Sequence, residues 1–567
     1  MLIKDSQRPV SIVEATSHVR RLLSRRWFAA VIVAALSLAL FVGGMYFQRS
    51  GAVGPLVERA RNLALSPGHL LRGALASPDR LTIDVAFDDF QKLAYKREQA
   101  LQRGILITDE DSWVSAQIRF DERVMRCRIR LKGDLPDHLR EDKWSFRINM
   151  RDDSTLYGMK RFSLHAPHTR NYIWEWVFQQ TMKREGLIAL RYRFVNVTVN
   201  GVDHGLYALE ESFEKRLIEH NQRREGPIIK FNENVWWLES DGYIQDYALP
   251  GAGHFNSLAI DMFQSDRTVA DTTLFAQFKV AHAALESFRA GESSVESVFD
   301  TEKLATYFAL CDVLGAFHAL NVIQYRFYFN PFTRKLEPIP FDANAGRGIL
   351  ELAALYKKER EYPWTGELRQ LFIARAFAEP EFYKLYLQQL DRFSRPAYLD
   401  SLFSELDSAL QENLSLIYSD EPGYHYSPDI VYNNQKFIRR FLEPVSALRA
   451  YVSRRGADSA YLQIAVTQQL PVAVERVTLN GETLHEFDPP VTLDGKRLTD
   501  PPRYDQLVVP LTSQSPAEGE LRLHYTILGL SEEYDAVIAP WPAEDSATLS
   551  VAQTWRTSNV NEFEFLT

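Results

Sequence analysis

From Trp27 to Phe47 the chain reads WFAAVIVAALSLALFVGGMYF, a run without one charged side chain. At about 1.5 Å per residue, a helix of that length covers the roughly 30 Å hydrocarbon core of a bilayer. Arg20, Arg21, Arg25 and Arg26 precede the run and only Arg49 follows it closely, a bias that puts the N-terminus on the cytoplasmic side. Trp27, Tyr46 and Phe47 lie at its ends, where interfacial aromatics belong. A cleaved signal peptide is the rival, but the run is longer than an ordinary signal core and no small-x-small site follows it. The sequence therefore predicts a single-pass protein in contact with the lipid of the inner (cytoplasmic) membrane. Its N-terminus would be cytoplasmic and its bulk periplasmic or extracellular.

The remainder is too long for one compact core, and 46% apolar with 25% charged residues is ordinary globular composition. The formal net charge is -9, with no Lys/Arg stripe outside the N-terminus, so a nucleic-acid partner is excluded. Cys127 and Cys311 stand far apart without CxxC or His spacing, which makes no zinc site, and read as two buried free thiols, with a pairing between them as the alternative.

Five segments follow from the patterns: a basic tail over 1–26, the transmembrane helix over 27–47, a helical stalk over 48–80, a large domain over 81–459 and a β domain over 460–567. Within the large domain, LTIDVAF, VSAQIRF, VMRCRIRL and KWSFRINM alternate as half-buried strands do, and Asn200-Gly201 is a hairpin signal. Asn171 to Glu185 and several stretches beyond Thr272 carry helical spacing, interrupted by the strand pair IQYRFYFN and KLEPIPF. Past Ala460, short alternating runs about ten residues apart predict an antiparallel β-sandwich. The fold class expected is α+β.

GxGxxG, P-loop, GxSxG and HExxH motifs are all absent. What remains is Asn321, after a helix, and Asp342, at the end of the following strand pair in FDANAGRG. An amide and a carboxylate so placed can share a divalent cation, because Mg²⁺ takes hard oxygen ligands, and phosphoryl transfer uses such a pair. A helix cap and a turn residue are the plainer alternative.

The ordered set RLKGD (Arg130 to Asp134), KWSFRI from Lys143, YGMKRFSLHAP from Tyr157, VTVNGVDHGLYALEE from Val197, HALN from His318, FYFNP from Phe327 and IPFDANAG from Ile339 resembles the CotH kinase family over about residues 80–455. The resemblance implies a two-lobed, protein-kinase-like domain that binds ATP with Mg²⁺, or Mn²⁺ in its place. It implies Asn321 and Asp342 as metal ligands, and Lys143, Lys132 and Glu175 as candidates for the phosphate lysine and its helix partner. One departure stands out: the family's active members carry an aspartate five residues before the metal-binding asparagine, and here that position is Ala316. Asp312 and His318 are the candidate replacements for the missing base. The expectation is a membrane-anchored kinase of the bacterial cell envelope phosphorylating a protein or glycan. Its alternative is a pseudokinase scaffold for envelope or polysaccharide-assembly partners.

Overall fold

The computed structural model describes residues 67–140, 142–232, 258–355, 372–496, 500–511 and 519–542. Seven strands make a closed barrel: β1 (Arg80–Val85), β2 (Val114–Phe120), β3 (Arg123–Leu131), β4 (Phe146–Met150), β5 (Arg161–His165), β6 (Tyr192–Val199) and β7 (Val202–Glu211). Their order is β1-β2-β3-β4-β5-β7-β6, closed by the parallel pairing of β6 with β1. The alternation read in the sequence is what fills it, since VSAQIRF buries every second side chain and Ile83, Ile118, Ile129, Ile148 and Phe162 meet inside. Asn200 and Gly201, with φ of 47° and 83°, form the two-residue turn between β6 and β7, the geometry whose twist matches a hairpin. Helix α1 (Phe87–Arg103) packs outside β2 and β3.

Helix α2 (Ile173–Arg184) leads away from the barrel toward a small sheet of β8 (Ile228–Phe231), β9 (Ile260–Met262), β10 (Arg326–Phe329) and β11 (Leu336–Pro338), ordered β11-β10-β8-β9. Helix α3 (Thr272–Ala290) packs on β8, β9 and β10 and α4 (Thr301–Leu314) on β11, while α5 (Pro380–Ser394) and α7 (Asp429–Leu442) pack on α4, and α6 (Pro396–Asp420) packs on α2, α5 and α7. Every residue of α4 from Leu304 to Leu314 is buried, as expected of a helix that is apolar all round. It stops at Gly315, whose φ of 61° and whose 1.8 Å approach of a hypothetical Cβ to the Arg347 carbonyl oxygen leave room for glycine alone.

Strands β12 (Leu448–Arg455), β13 (Ser459–Val466), β14 (Val472–Leu479), β15 (Glu482–Leu493), β16 (Asp505–Pro510), β17 (Leu521–Ile527) and β18 (Glu533–Pro540) form one sheet ordered β15-β14-β17-β18-β12-β13-β16. Their buried side chains, among them Leu448, Ile464, Val474 and Leu523, share one core with Tyr386, Leu414 and Leu442 of the helices. Cys127 and Cys311 are both buried and free.

The expected fold class is corrected on these grounds. In place of an α+β chain with an N-terminal transmembrane helix, a two-lobed kinase-like domain and an antiparallel sandwich, the described residues form a mixed α/β structure with β-barrel-like sheets. The strand-rich part closes on itself, and the C-terminal strands make a single sheet that includes a parallel pair, β12 with β18. Alternation identifies half-buried strands but says nothing of their partners, and here the helices cover the inner face instead of a second sheet. The span 27–47 lies outside the described residues, and among the described residues no helix is long and apolar enough to cross a membrane. The transmembrane helix is therefore unsupported.

Candidate functional site

Where the barrel meets the helices, five charged or titratable side chains from five segments form a chain of ion pairs. Lys132, just past β3, donates from Nζ to Oε2 of Glu210 on β7 at 3.0 Å. Arg170, ending the turn Pro167–Arg170 after β5, lies with Nε 3.8 Å from Glu210 Oε1 and with Nη1 3.0 Å from Asp342 Oδ1. His318, in the turn Phe317–Leu320 that follows α4, brings Nε2 to 3.5 Å from Asp342 Oδ2. Glu210 is 1% exposed and Asp342 7% exposed, so these charges compensate one another with little help from water.

Asp342 is presented by a strained turn. Its φ is 52° and that of Asn344 is 48°, left-handed values that non-glycine residues adopt only where surrounding structure imposes them. The imposing group is Glu175 of α2, whose Oε2 accepts the N–H of Ala343 at 3.0 Å and of Asn344 at 3.3 Å, while Oε1 accepts from Gln179 at 3.2 Å. Asn171 adds a bond from Nδ2 to the Ala345 carbonyl at 2.6 Å.

Burial dominates the electrostatics. It pushes Lys132 down to about 8 against the pull of Glu210, and it pushes Glu175 up to about 8, with Glu210 adding to the rise. Burial would raise Asp342 as well, but the Arg170 charge, aided by His318, outweighs it and holds the carboxyl below the usual range. Burial also opposes the Arg170 charge, yet Asp342 and then Glu210 keep it fixed.

Buried polar atoms in these segments lack hydrogen bonds. Asn321 is 1% exposed and its Oδ1 has no hydrogen-bond partner. Asp342 Oδ1, Glu210 Oε1 and Arg170 Nε make no hydrogen bond either, but each lies in an ion pair, at 3.0 Å for Asp342 Oδ1 and 3.8 Å for the other two. A buried acceptor with no partner, as Asn321 Oδ1 is, costs about 1–3 kcal/mol, and an amide oxygen of that kind suits a hard cation. Among the described residues no group of three or more His, Cys, Asp or Glu side chains could hold a metal by itself.

Three predicted residues lie elsewhere or act differently. Lys143 pairs with Asp420 at the end of α6 and donates to the Leu206 carbonyl at 3.2 Å. It lines a groove of about 830 Å³ with Trp144, Asn196, His204, Tyr207 and Asp420, apart from the ion-pair chain. Asp312 accepts the Ala353 N–H at 2.8 Å and the Tyr386 hydroxyl at 2.5 Å, facing α5, and burial pushes it up to about 8. Ala316 is fully buried. Glu175 contacts the Asp342 turn, whereas the ion partner of Lys132 is Glu210.

Arg170 and Glu210 were not singled out from the sequence. Glu210 sits in LYALEE, where Leu206 to Glu211 are all buried, so two adjacent acids on a strand covered on both faces were the available signal. Arg170 ends the HAPHTR segment and carries no pattern of its own.

Compared with known families, residues 129–457 match the family model described as CotH kinase protein, more than half of the chain, and that span holds every member of the ion-pair chain. No curated protein matches the sequence.

Proposed function

The chain belongs to the CotH kinase family, and from that premise we propose that it binds ATP with a divalent cation at the Lys132, Glu210, Arg170, Asp342 cluster and transfers phosphate slowly to a protein or glycan hydroxyl. The observation that carries this reading is the buried Asn321 oxygen left without a partner in the segment that also delivers His318 to Asp342. In a folded interior such an atom is expected to be satisfied, and a ligand is one way to do it.

Asp342 and Asn321 would hold the cation, Mg²⁺ or Mn²⁺, which would supply positive charge to offset that of the phosphates. Lys132 and Arg170 bind and orient phosphate oxygens, and Glu210 fixes the ammonium of Lys132. Glu175 locks the turn that presents Asp342. His318, with 40% of its side chain exposed, would take a proton from an acceptor hydroxyl.

A second reading, a nucleotide-binding scaffold without chemistry, is favoured by Ala316 and by Asp312, which faces Tyr386 rather than the cluster. Loss of general-base assistance costs a factor of about 10² to 10⁴. Incubating the full chain with Mg²⁺ and ATP labelled in the γ-phosphate separates the two. Slow release or transfer of label that vanishes in Asp342→Asn supports the transferase, nucleotide binding without any release supports the scaffold, and no nucleotide binding refutes both.

A further inference from the structure

We infer that Arg170 is a positioning residue that gates the cation site: it occupies Asp342 while no nucleotide is present and must move onto the phosphates before that carboxylate can take a divalent cation. The inference rests on the nucleotide reading above and concerns the order in which its ligands arrive.

Both oxygens of Asp342 are engaged by positive or chargeable groups, Arg170 at 3.0 Å and His318 at 3.5 Å. A Mg²⁺ ligand distance is about 2.0–2.1 Å, so a cation on Asp342 Oδ1 would stand within a few ångströms of the guanidinium, in a site nearly closed to water. Two positive groups that close repel unless an anion lies between them. A triphosphate supplies that anion, and the planar guanidinium fork is suited to take two of its oxygens at once.

The arginine is held in a way that permits this exchange. Its side chain is 7% exposed and sits between two carboxylates, yet Nε makes no hydrogen bond among the described residues, and Nη1 donates to the neighbouring Thr169 carbonyl at 3.2 Å. A guanidinium fixed purely for packing is expected to satisfy its donors in full. Because Glu210 lies on the opposite side, contacting both Lys132 and Arg170, it retains a partner when Arg170 leaves. Coupling of this kind is reciprocal, so cation and nucleotide raise each other's affinity by the same factor.

The test uses the full chain. Uptake of Mn²⁺ alone is followed by loss of the free-ion electron paramagnetic resonance signal, and affinity for a non-hydrolysable ATP analogue in excess Mn²⁺ is measured by calorimetry. Wild-type protein is expected to take up Mn²⁺ only weakly without nucleotide. Arg170→Gln should bind Mn²⁺ alone at least tenfold more tightly and the analogue at least tenfold more weakly, opposite signs that general damage to the fold cannot produce. Arg170→Lys, which keeps a charge between the carboxylates, should shift both affinities in the same directions by smaller factors and decides the matter if the glutamine variant does not fold. Wild-type uptake of Mn²⁺ equal to that of either variant, or a fall in both affinities, overturns the gate while leaving the nucleotide site standing. Failure of wild-type protein to bind the analogue at all overturns the nucleotide reading, and the gate with it.

Discussion

Glu175 holds the backbone N–H groups of Ala343 and Asn344, and without it two amides at a buried turn lose their acceptor. Glu175→Ala is therefore expected to cost about 1–3 kcal/mol in a urea melt and to weaken nucleotide binding, whereas Glu175→Gln, which keeps an oxygen acceptor, should lose less of both. Asp312, like Glu175, is raised by burial, here from the ordinary 3.8 to about 8. Between those values the folded protein retains a proton that the unfolded chain has released, so this group's contribution to stability is full below about pH 4 and is lost as pH rises toward 8. Asp312→Asn should flatten the pH dependence of the melting temperature in that window; an unchanged slope would show that Asp312 is not the group responsible. At this scale the sequence pointed to Asp342, Asn321 and His318, because the residues around them carried a pattern. Arg170 and Glu210 stayed invisible, since an ion pair between β7 and a turn after β5 depends on strand neighbours that spacing does not specify.

The connection from β3 to β4 carries two lysines with different partners. Lys132 points to Glu210 inside, while Lys143 closes on Asp420 at the end of α6. Lys132→Ala should abolish nucleotide binding, and Lys143→Ala should leave the affinity within about threefold and cost no more than about 1 kcal/mol, as expected for a partly exposed ion pair. Equal losses in the two variants would place the phosphates in the groove instead. The end of α4 gives a second expectation: at Gly315 an alanine meets both a left-handed backbone and the Arg347 carbonyl, so Gly315→Ala should destabilise by at least about 1–3 kcal/mol. Local chemistry made such features readable, as with Asn200-Gly201, whose turn geometry is intrinsic to those residues. Helix ends were less readable. Helix α7 stops at Leu442, and β12 begins at Leu448 because that stretch pairs with β13 and β18.

Over the whole molecule, the barrel, the small sheet and the helices bring β3, β5, β7, α2, α4 and β11 to one junction, and the cluster exists only because all six converge there. Closure of the barrel through β6 and β1 joins segments more than a hundred residues apart, and no local pattern announces such a pairing. On the function proposed above, this junction binds Mg-ATP through Asp342. Thermal unfolding of the full chain with and without Mg-ATP, beside Asp342→Ala, tests it most directly. Ligand at about 100 times its dissociation constant stabilises by roughly 2.7 kcal/mol, a shift on the order of a few degrees. The expected result is that shift in the wild-type protein and its loss in the variant; no shift in either protein, or the same shift in both, would contradict the claim.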